Sequence, residues 1–262
     1  MKGPGKIIRT ALSAGASAVI LVCLAASFGV SKASRNKTVC NDVSVTIRDS
    51  LQSRFVSGKD ILEYLDKGYG KTEGIPVNDL DLKEIEAVLD SQSAVLKSEA
   101  YCTKDGVLHI DVTQRKPLMR FQKGTKGFYA DAHGYIFPMK TGKSSYVVVI
   151  DGEIPLHLEN TDRGKATSGD ERLWLEQMTE LVEYMNGHQI WVNNIVQIHV
   201  EKNGDLILIP REGKERFIFG KPSGVEEKFS LMDCYYTGIV PVKGKDYYRT
   251  VDLRYDGQII CK

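Results

Sequence analysis

Residues 81–113 read DLKEIEAVLDSQSAVLKSEAYCTKDGVLHIDVT, and this stretch decides the fold. Asp81 and Glu84 open a helix with Leu82, Ile85, Val88 and Leu89 at i, i+3, i+6 and i+7, a stripe of helical period. Two strands follow, near Val95–Cys102 and Val107–Thr113, joined by a Lys104-Asp105-Gly106 turn. Upstream, Val43, Val45 and Ile47 alternate with Ser44 and Thr46, the pattern of a strand. Ser57-x-x-Asp60 starts another helix, with Ile61, Leu62 and Leu65 on one face and Gly68 as its stop. The order β-α-α-β-β predicts two helices on one face of a three-stranded sheet, a small α+β unit.

Downstream of Arg115-Lys116-Pro117 strand-like runs dominate: Gly127–Ala130, Tyr135–Pro138, Tyr146–Ile150, Ile195–Val200, Leu206–Ile209, Arg216–Phe219, and Tyr248 to the end. Asn203-Gly204 between two apolar runs is a hairpin signal. Two helices interrupt. One starts at a Ser168-x-x-Glu171 capping box, carries Trp174, Met178, Leu181 and Met185, and ends at Gly187. The other starts at Ser223-x-x-Glu226 and carries Val225, Phe229, Met232 and Tyr236. Both stripes suit packing on a sheet. This part reads as a mostly antiparallel β domain, with the boundary near residue 114.

No charge occurs between Arg9 and Lys32. Ala11 to Val30, rich in Ala, Ser and Gly, would span about 30 Å as a helix, the thickness of a bilayer core. Lys2, Lys6 and Arg9 precede it, which keeps the N-terminus in the cytoplasm and exports the rest. The chain therefore reads as a cytoplasmic tail (1–10), a transmembrane helix (11–31), a polar tether (32–41), the α+β unit (42–114) and the β domain (115–262). Small residues around Ala25-Ala26-Ser27 and Ala33-Ser34 also permit a cleaved signal peptide. A lipoprotein signal ending at Cys23 is disfavoured by the bulky Val22 before it.

The chain has 42% apolar and 26% charged residues and a formal charge of +1. That is globular usage, with no bulk attraction to nucleic acid. No two of Cys23, Cys40, Cys102, Cys234 and Cys261 have C-x-x-C spacing, which argues against a zinc ribbon or redox pair. In an oxidising compartment the last four are permitted to pair.

Signals for catalysis are weak. His109, His133, His157, His188 and His199 show no metal-ligand spacing. Gly70-Lys71-Thr72 lacks the earlier glycine of a phosphate loop, since position 65 is Leu. Ser144 and Ser145 lie in a turn without a nucleophile-elbow pattern. Asp131 and Asp252 have no evident pairing that would tune them as acid and base, and Arg211, Lys214 and Arg216 read as a solvated hairpin tip. The expectation is a protein with no enzymatic activity, cofactor, metal or small-molecule substrate.

Three motifs combine with this architecture: Val112-Thr-Gln-Arg115-Lys-Pro117-Leu-Met-Arg-Phe121, Phe128-Tyr129-Ala-Asp131-Ala-His-Gly134-Tyr-Ile136-Phe137-Pro138, and Val251-Asp252-Leu253-Arg254-Tyr255-Asp256-Gly257-Gln258-Ile259-Ile260. Together they resemble the FtsQ/DivIB family of bacterial cell-division proteins. That family has a cytoplasmic tail, one membrane helix, a POTRA domain and a mostly β domain. The resemblance implies an inner-membrane divisome scaffold at the septum that joins FtsB-like and FtsL-like proteins to the septal peptidoglycan synthase complex. It implies strand addition by the FtsB-like partner along Arg254, Tyr255, Asp256, Gly257, Gln258, Ile259 and Ile260. Tyr255 and Ile259 would serve as apolar anchors, and Arg254 would meet a partner carboxylate. Asp256-Gly257 reads as a bulge in that terminal strand, since few residues remain for a hairpin return. The rival readings are a POTRA-bearing assembly factor and an anchored or secreted cell-envelope enzyme.

Overall fold

A computed structural model describes residues 20–23, 38–48, 55–139, 144–158, 164–166 and 168–262. The expected tail and most of the expected membrane helix and tether lie outside these residues; Ile20–Cys23 are helical and exposed. Among the described residues no helix is long and apolar enough to cross a membrane. The chain divides into two compact units: the first closes at Thr113, and the second holds Gln114–Lys262 together with Phe55.

The first unit has the order β1 (Asp42–Ile47), α1 (Gly58–Gly68), α2 (Leu82–Asp90), β2 (Val95–Cys102) and β3 (Val107–Gln114). Its strands lie in the order β1-β3-β2. β1 runs parallel to β3, with Val43 opposite Leu108, Val45 opposite Ile110 and Ile47 opposite Val112. The capping box at Ser57 forms: its N–H donates to Asp60 Oδ2 at 2.7 Å, and the Asp60 N–H donates to Ser57 Oγ at 3.3 Å. Asp81 caps α2 by accepting from the N–H groups of Lys83 and Glu84. Ile61, Leu65, Ile85 and Leu89 of the helices and Leu108, Ile110 and Val112 of β3 are buried, each contributing about 1.5–3 kcal/mol. Leu62 departs from the expected pattern: it is 41% exposed, because the buried face of α1 is centred on Ile61 and Leu65. Thr38–Asn41 are not a free tether. Val39 bridges Pro76, and the Cys40 N–H donates to the Ile75 carbonyl at 2.8 Å.

Among the described residues the second unit forms a ten-stranded sheet in the order β13-β12-β11-β10-β9-β7-β4-β5-β6-β8. Its strands are β4 (Pro117–Lys123), β5 (Lys126–Asp131), β6 (Tyr135–Pro138), β7 (Val148–Gly152), β8 (Gly164–Lys165), β9 (Ile195–Val200), β10 (Leu206–Pro210), β11 (Arg216–Gly220), β12 (Thr250–Asp252) and β13 (Ile260–Cys261). The expected mostly antiparallel sheet is mixed: β4–β7, β7–β9 and β11–β12 are parallel. Helices lie between β7 and β9 and between β11 and β12, while β4 reaches β7 by way of β5 and β6, so none of these pairs is joined by a tight turn.

Helix α3 (Gly169–Gly187) follows β8, and α4 (Val225–Cys234) follows β11. The Ser168 cap of α3 forms, and Leu175, Met178, Leu181, Val182 and Met185 join Phe121, Ile150, Ile198 and Phe217 in the core. The expected Ser223 cap of α4 does not form. Gly224 takes the N-cap position at φ +63 with no side-chain hydrogen bond. Beyond α4 the chain makes a π-helical turn, Tyr235–Ile239, and a short helix α5 (Val240–Lys243). The π turn brings two adjacent tyrosines inward: Tyr235 is buried, and the Tyr236 hydroxyl donates to the buried Glu215 at 2.6 Å. Burial first, then the Glu215 carboxylate, raises the Tyr236 pKa far above the ordinary phenol value; burial alone leads for Tyr235, pushed up to about 12.

Gly152 ends β7 at φ +90, and a Cβ there would run into the Val200 carbonyl and stand 2.9 Å from His199 Cε1. Gly152→Ala should therefore lower unfolding free energy by about 1–3 kcal/mol, measured by chemical denaturation.

Candidate functional site

The C-terminal motif does not form the single edge strand expected along Arg254–Ile260. β12 stops at Asp252, after pairing parallel to β11 with Phe217 opposite Val251. Leu253 then turns into the core, and its N–H donates to the Ile218 carbonyl at 3.0 Å. The chain reverses through Tyr255–Gln258, where the Gln258 N–H donates to the Tyr255 carbonyl at 3.1 Å and Gly257 takes φ +65. It returns as β13, antiparallel to β12 with Val251 opposite Cys261 and Asp252 opposite Ile260. Asp256-Gly257 is thus a hairpin turn, not a bulge. Only glycine readily takes that left-handed conformation, and a two-residue strand is enough for the return.

Arg254 makes contacts within its own unit. Its Nε and Nη2 donate to the two oxygens of Asp252 at 2.9 and 2.7 Å, and Nη1 donates to Asp205 at 3.2 Å. The guanidinium is tied to carboxylates of its own sheet. Gly220 makes room for it, since a Cβ there would lie 2.8 Å from Arg254 Cγ. The forked contact holds the Asp252 carboxyl below the usual range and raises the Arg254 pKa. Of the two expected apolar anchors, Ile259 is half-buried against the core, while Tyr255 is 49% exposed. Asp256, Gly257 and Gln258 are exposed, and Ile260 is half-buried.

β13 is the outer strand of the sheet. Thr250 and Lys262 exchange both backbone hydrogen bonds, at 3.0 and 2.9 Å. Such bonded pairs alternate with pairs whose N–H and C=O turn away. Cys261 and Ile259 therefore direct their backbone groups to the outside. Cys40, Cys234 and Cys261 are free thiols, and burial pushes the Cys261 thiol up.

The first two motifs meet in a second arginine–aspartate pair. Arg115 Nη1 donates to Asp131 Oδ2 at 2.8 Å, with side chains 12% and 5% exposed, and its guanidinium lies 3.5 Å from the centre of the Tyr135 ring. Asp131 Oδ1 accepts from the N–H groups of His133 and Tyr135, both at 2.9 Å, fixing the β5–β6 turn. Asp131 and Asp252, for which the sequence shows no acid–base pairing, are both tied to arginines. The sequence carried the clue in Arg115 and Arg254, but spacing does not show which carboxylate an arginine reaches.

The other candidates for chemistry serve locally. His199 contacts Asp151 at 2.8 Å, and His109 stacks on Tyr101. The exposed His157 contacts the buried Glu171, whose pKa falls chiefly through that hydrogen bond. The Ser145 N–H donates to the Tyr129 hydroxyl, and Arg211 braces the Asn193 carbonyl. Among the described residues no cluster of His, Cys, Asp or Glu is placed to hold a metal ion.

Removing one member of the buried pair strands the other. Asp131→Ala should cost about 3–5 kcal/mol in equilibrium unfolding. Asp252 yields a pH prediction. Its folded pKa lies below the ordinary 3.8, so its contribution is fully present above that value and is lost as pH falls through the lower folded one. Acid titration followed by amide exchange should show the Tyr255–Gln258 turn loosening below pH 3.8, and Asp252→Asn should remove that dependence.

Residues 116–262 match the family model described as FtsQ/DivIB, C-terminal related, and residues 38–113 match a POTRA-like domain model. No curated protein matches the chain. The C-terminal match covers more than half of the sequence and holds both arginine–aspartate motifs apart from Arg115; with the POTRA-like unit before it, the chain belongs to the FtsQ/DivIB family.

Proposed function

We propose that this protein is a divisome scaffold of the division septum that works by lending the outer edge of β13 to a partner strand. Membership of a family of cell-division scaffolds supports the general role. In this reading residues 11–31 anchor the chain in the inner membrane, the N-terminus is cytoplasmic, and both units lie in the periplasm. The FtsB-like protein adds the strand, brings its FtsL-like companion, and the assembly joins the septal peptidoglycan synthase complex. No chemical step is assigned to the chain.

The observation that carries this reading is the edge itself. Backbone N–H and C=O groups at a sheet edge seek partners, and Ile259 and Cys261 turn theirs outward beside the exposed Tyr255. Arg254, Tyr255, Asp256, Gly257, Gln258, Ile259 and Ile260 remain the proposed partner-binding segment, with the roles redistributed. Arg254 and Asp252 set the turn, Tyr255 offers an aromatic surface, and the strand after the turn supplies the hydrogen bonds.

Tyr255→Lys should weaken binding of the purified FtsB-like partner at least tenfold, about 1.4 kcal/mol, with an unchanged unfolding midpoint. Isothermal titration calorimetry checks the first and denaturation the second. Unaltered affinity would remove Tyr255 from the interface.

A further inference from the structure

A cavity of about 260 Å³ lies in the second unit, where β7 and β9 begin and where β10 and α3 end. Its floor is apolar: Val148, Met185 and Ile195 line it and are buried. Its mouth is polar and carries the exposed Asn186, Asn193 and Arg211. Arg211 is the charged residue of this lining, and no carboxylate shares the lining with it. In the sheet, β10, β11 and β12 stand between β9 and the outer strand β13, so the cavity is separate from the C-terminal edge.

Arg211 is held in place from two directions. It follows Pro210, the last residue of β10. Its backbone N–H donates to the Asn194 carbonyl at 2.7 Å, and its Nε donates to the Asn193 carbonyl at 2.9 Å. Its Nη2 donates to the Tyr146 hydroxyl, and the guanidinium lies 5.1 Å from the centre of the Tyr146 ring. Nη1 is left over: among the described residues it has no protein partner. The same holds for the side-chain amides of Asn186 and Asn193. Asn186 lies in the last turn of α3, an end that ordinarily favours cations. Here the Tyr184 and Met185 carbonyls of that turn already accept from the ring and the backbone N–H of His188.

A fixed guanidinium with a nitrogen to spare, two uncommitted amides and a dry apolar floor suit an anion joined to an aliphatic group. The cavity is smaller than the usual site of a drug-sized ligand, so it takes the end of a chain rather than its middle. The last residue of a polypeptide carries a carboxylate and a side chain on one carbon. An internal Asp or Glu has no aliphatic branch beside its carboxylate.

We propose that this cavity captures the free carboxyl terminus of a partner protein that ends in an aliphatic residue. Arg211 Nη1 and the amides of Asn186 and Asn193 hold the carboxylate, and the final side chain lies against Val148, Met185 and Ile195. Charge supplies the recognition of a chain end, and the floor selects the residue that bears it.

The test uses the purified full-length chain and fluorescent eight-residue Gly-Ser peptides ending in Val, Leu or Ile, read by anisotropy. Each has a twin with a terminal amide, a twin ending in Gly, and a twin with an internal Asp and a terminal amide. At least one aliphatic free-acid peptide should bind tenfold or more tighter than all three of its twins and weaken with added salt. Arg211→Gln removes the charge, and Asn186→Asp sets a carboxylate at the mouth. Each should weaken that peptide at least tenfold with an unchanged circular dichroism spectrum. Should Arg211→Gln unfold the unit by releasing Asn193, Asn186→Asp carries the test. Tyr255→Lys should bind the peptide normally, which separates this site from the C-terminal one. The proposal is overturned if no free-acid peptide binds, if an amide, Gly or internal-Asp twin binds equally, or if both substitutions leave binding unchanged.

Discussion

The contact between Arg254 and Asp252 fixes the end of this molecule. A guanidinium held on both carboxylate oxygens is a directional, charge-assisted interaction. Here it fastens the first residues of a turn to the last residue of a strand, with Asp205 bracing the other side. The turn lets Ile260 and Cys261 come back alongside β12 instead of running on. Without it the short return would have little to hold it, since two strand residues supply few hydrogen bonds. The outermost strand of the large sheet depends on this pair.

The same chemistry recurs at the start of the second unit. Arg115 and Asp131 set the β5–β6 turn, and this pair is almost wholly buried. In both places an aspartate at or near the end of a strand receives an arginine and leaves a compact turn behind it. Neither carboxylate is arranged as an acid or base; each is already occupied by a cation and by backbone donors. Both aspartates are used to shape strand ends.

Much of the fold was legible because its signals are local. Ser57 with Asp60 and Ser168 ahead of Glu171 mark helix starts through hydrogen bonds made within one turn. β2, β6 and β9 follow from side-chain alternation or short apolar runs. What escaped depends on distant partners. β4 has the alternation Met119, Arg120, Phe121, Gln122, but Pro117 at its first residue makes the segment look like a break, although proline is tolerated there. The π turn at Tyr235–Ile239 reads as a helix continuing, because the Tyr236 contact it makes is with Glu215, distant in sequence and just before β11. Gly224 displaced the expected Ser223 cap, and Leu62 lies outside the core by a fraction of a helical turn. At the candidate site the C-terminal motif stands out in the sequence, but its path does not. Ile259 and Ile260 look like the continuation of β12 until the left-handed Gly257 reverses them.

A sheet edge that recruits a strand must be open before the partner arrives and closed afterwards. Amide hydrogen exchange resolved to single residues, on the full chain alone and bound to the purified FtsB-like partner, tests this most directly. The account predicts that Ile259 and Cys261 exchange freely in the unbound protein and become strongly protected in the complex, while Ile260 and Lys262 are protected in both. A complex that forms while Ile259 and Cys261 go on exchanging at their unbound rates would contradict it.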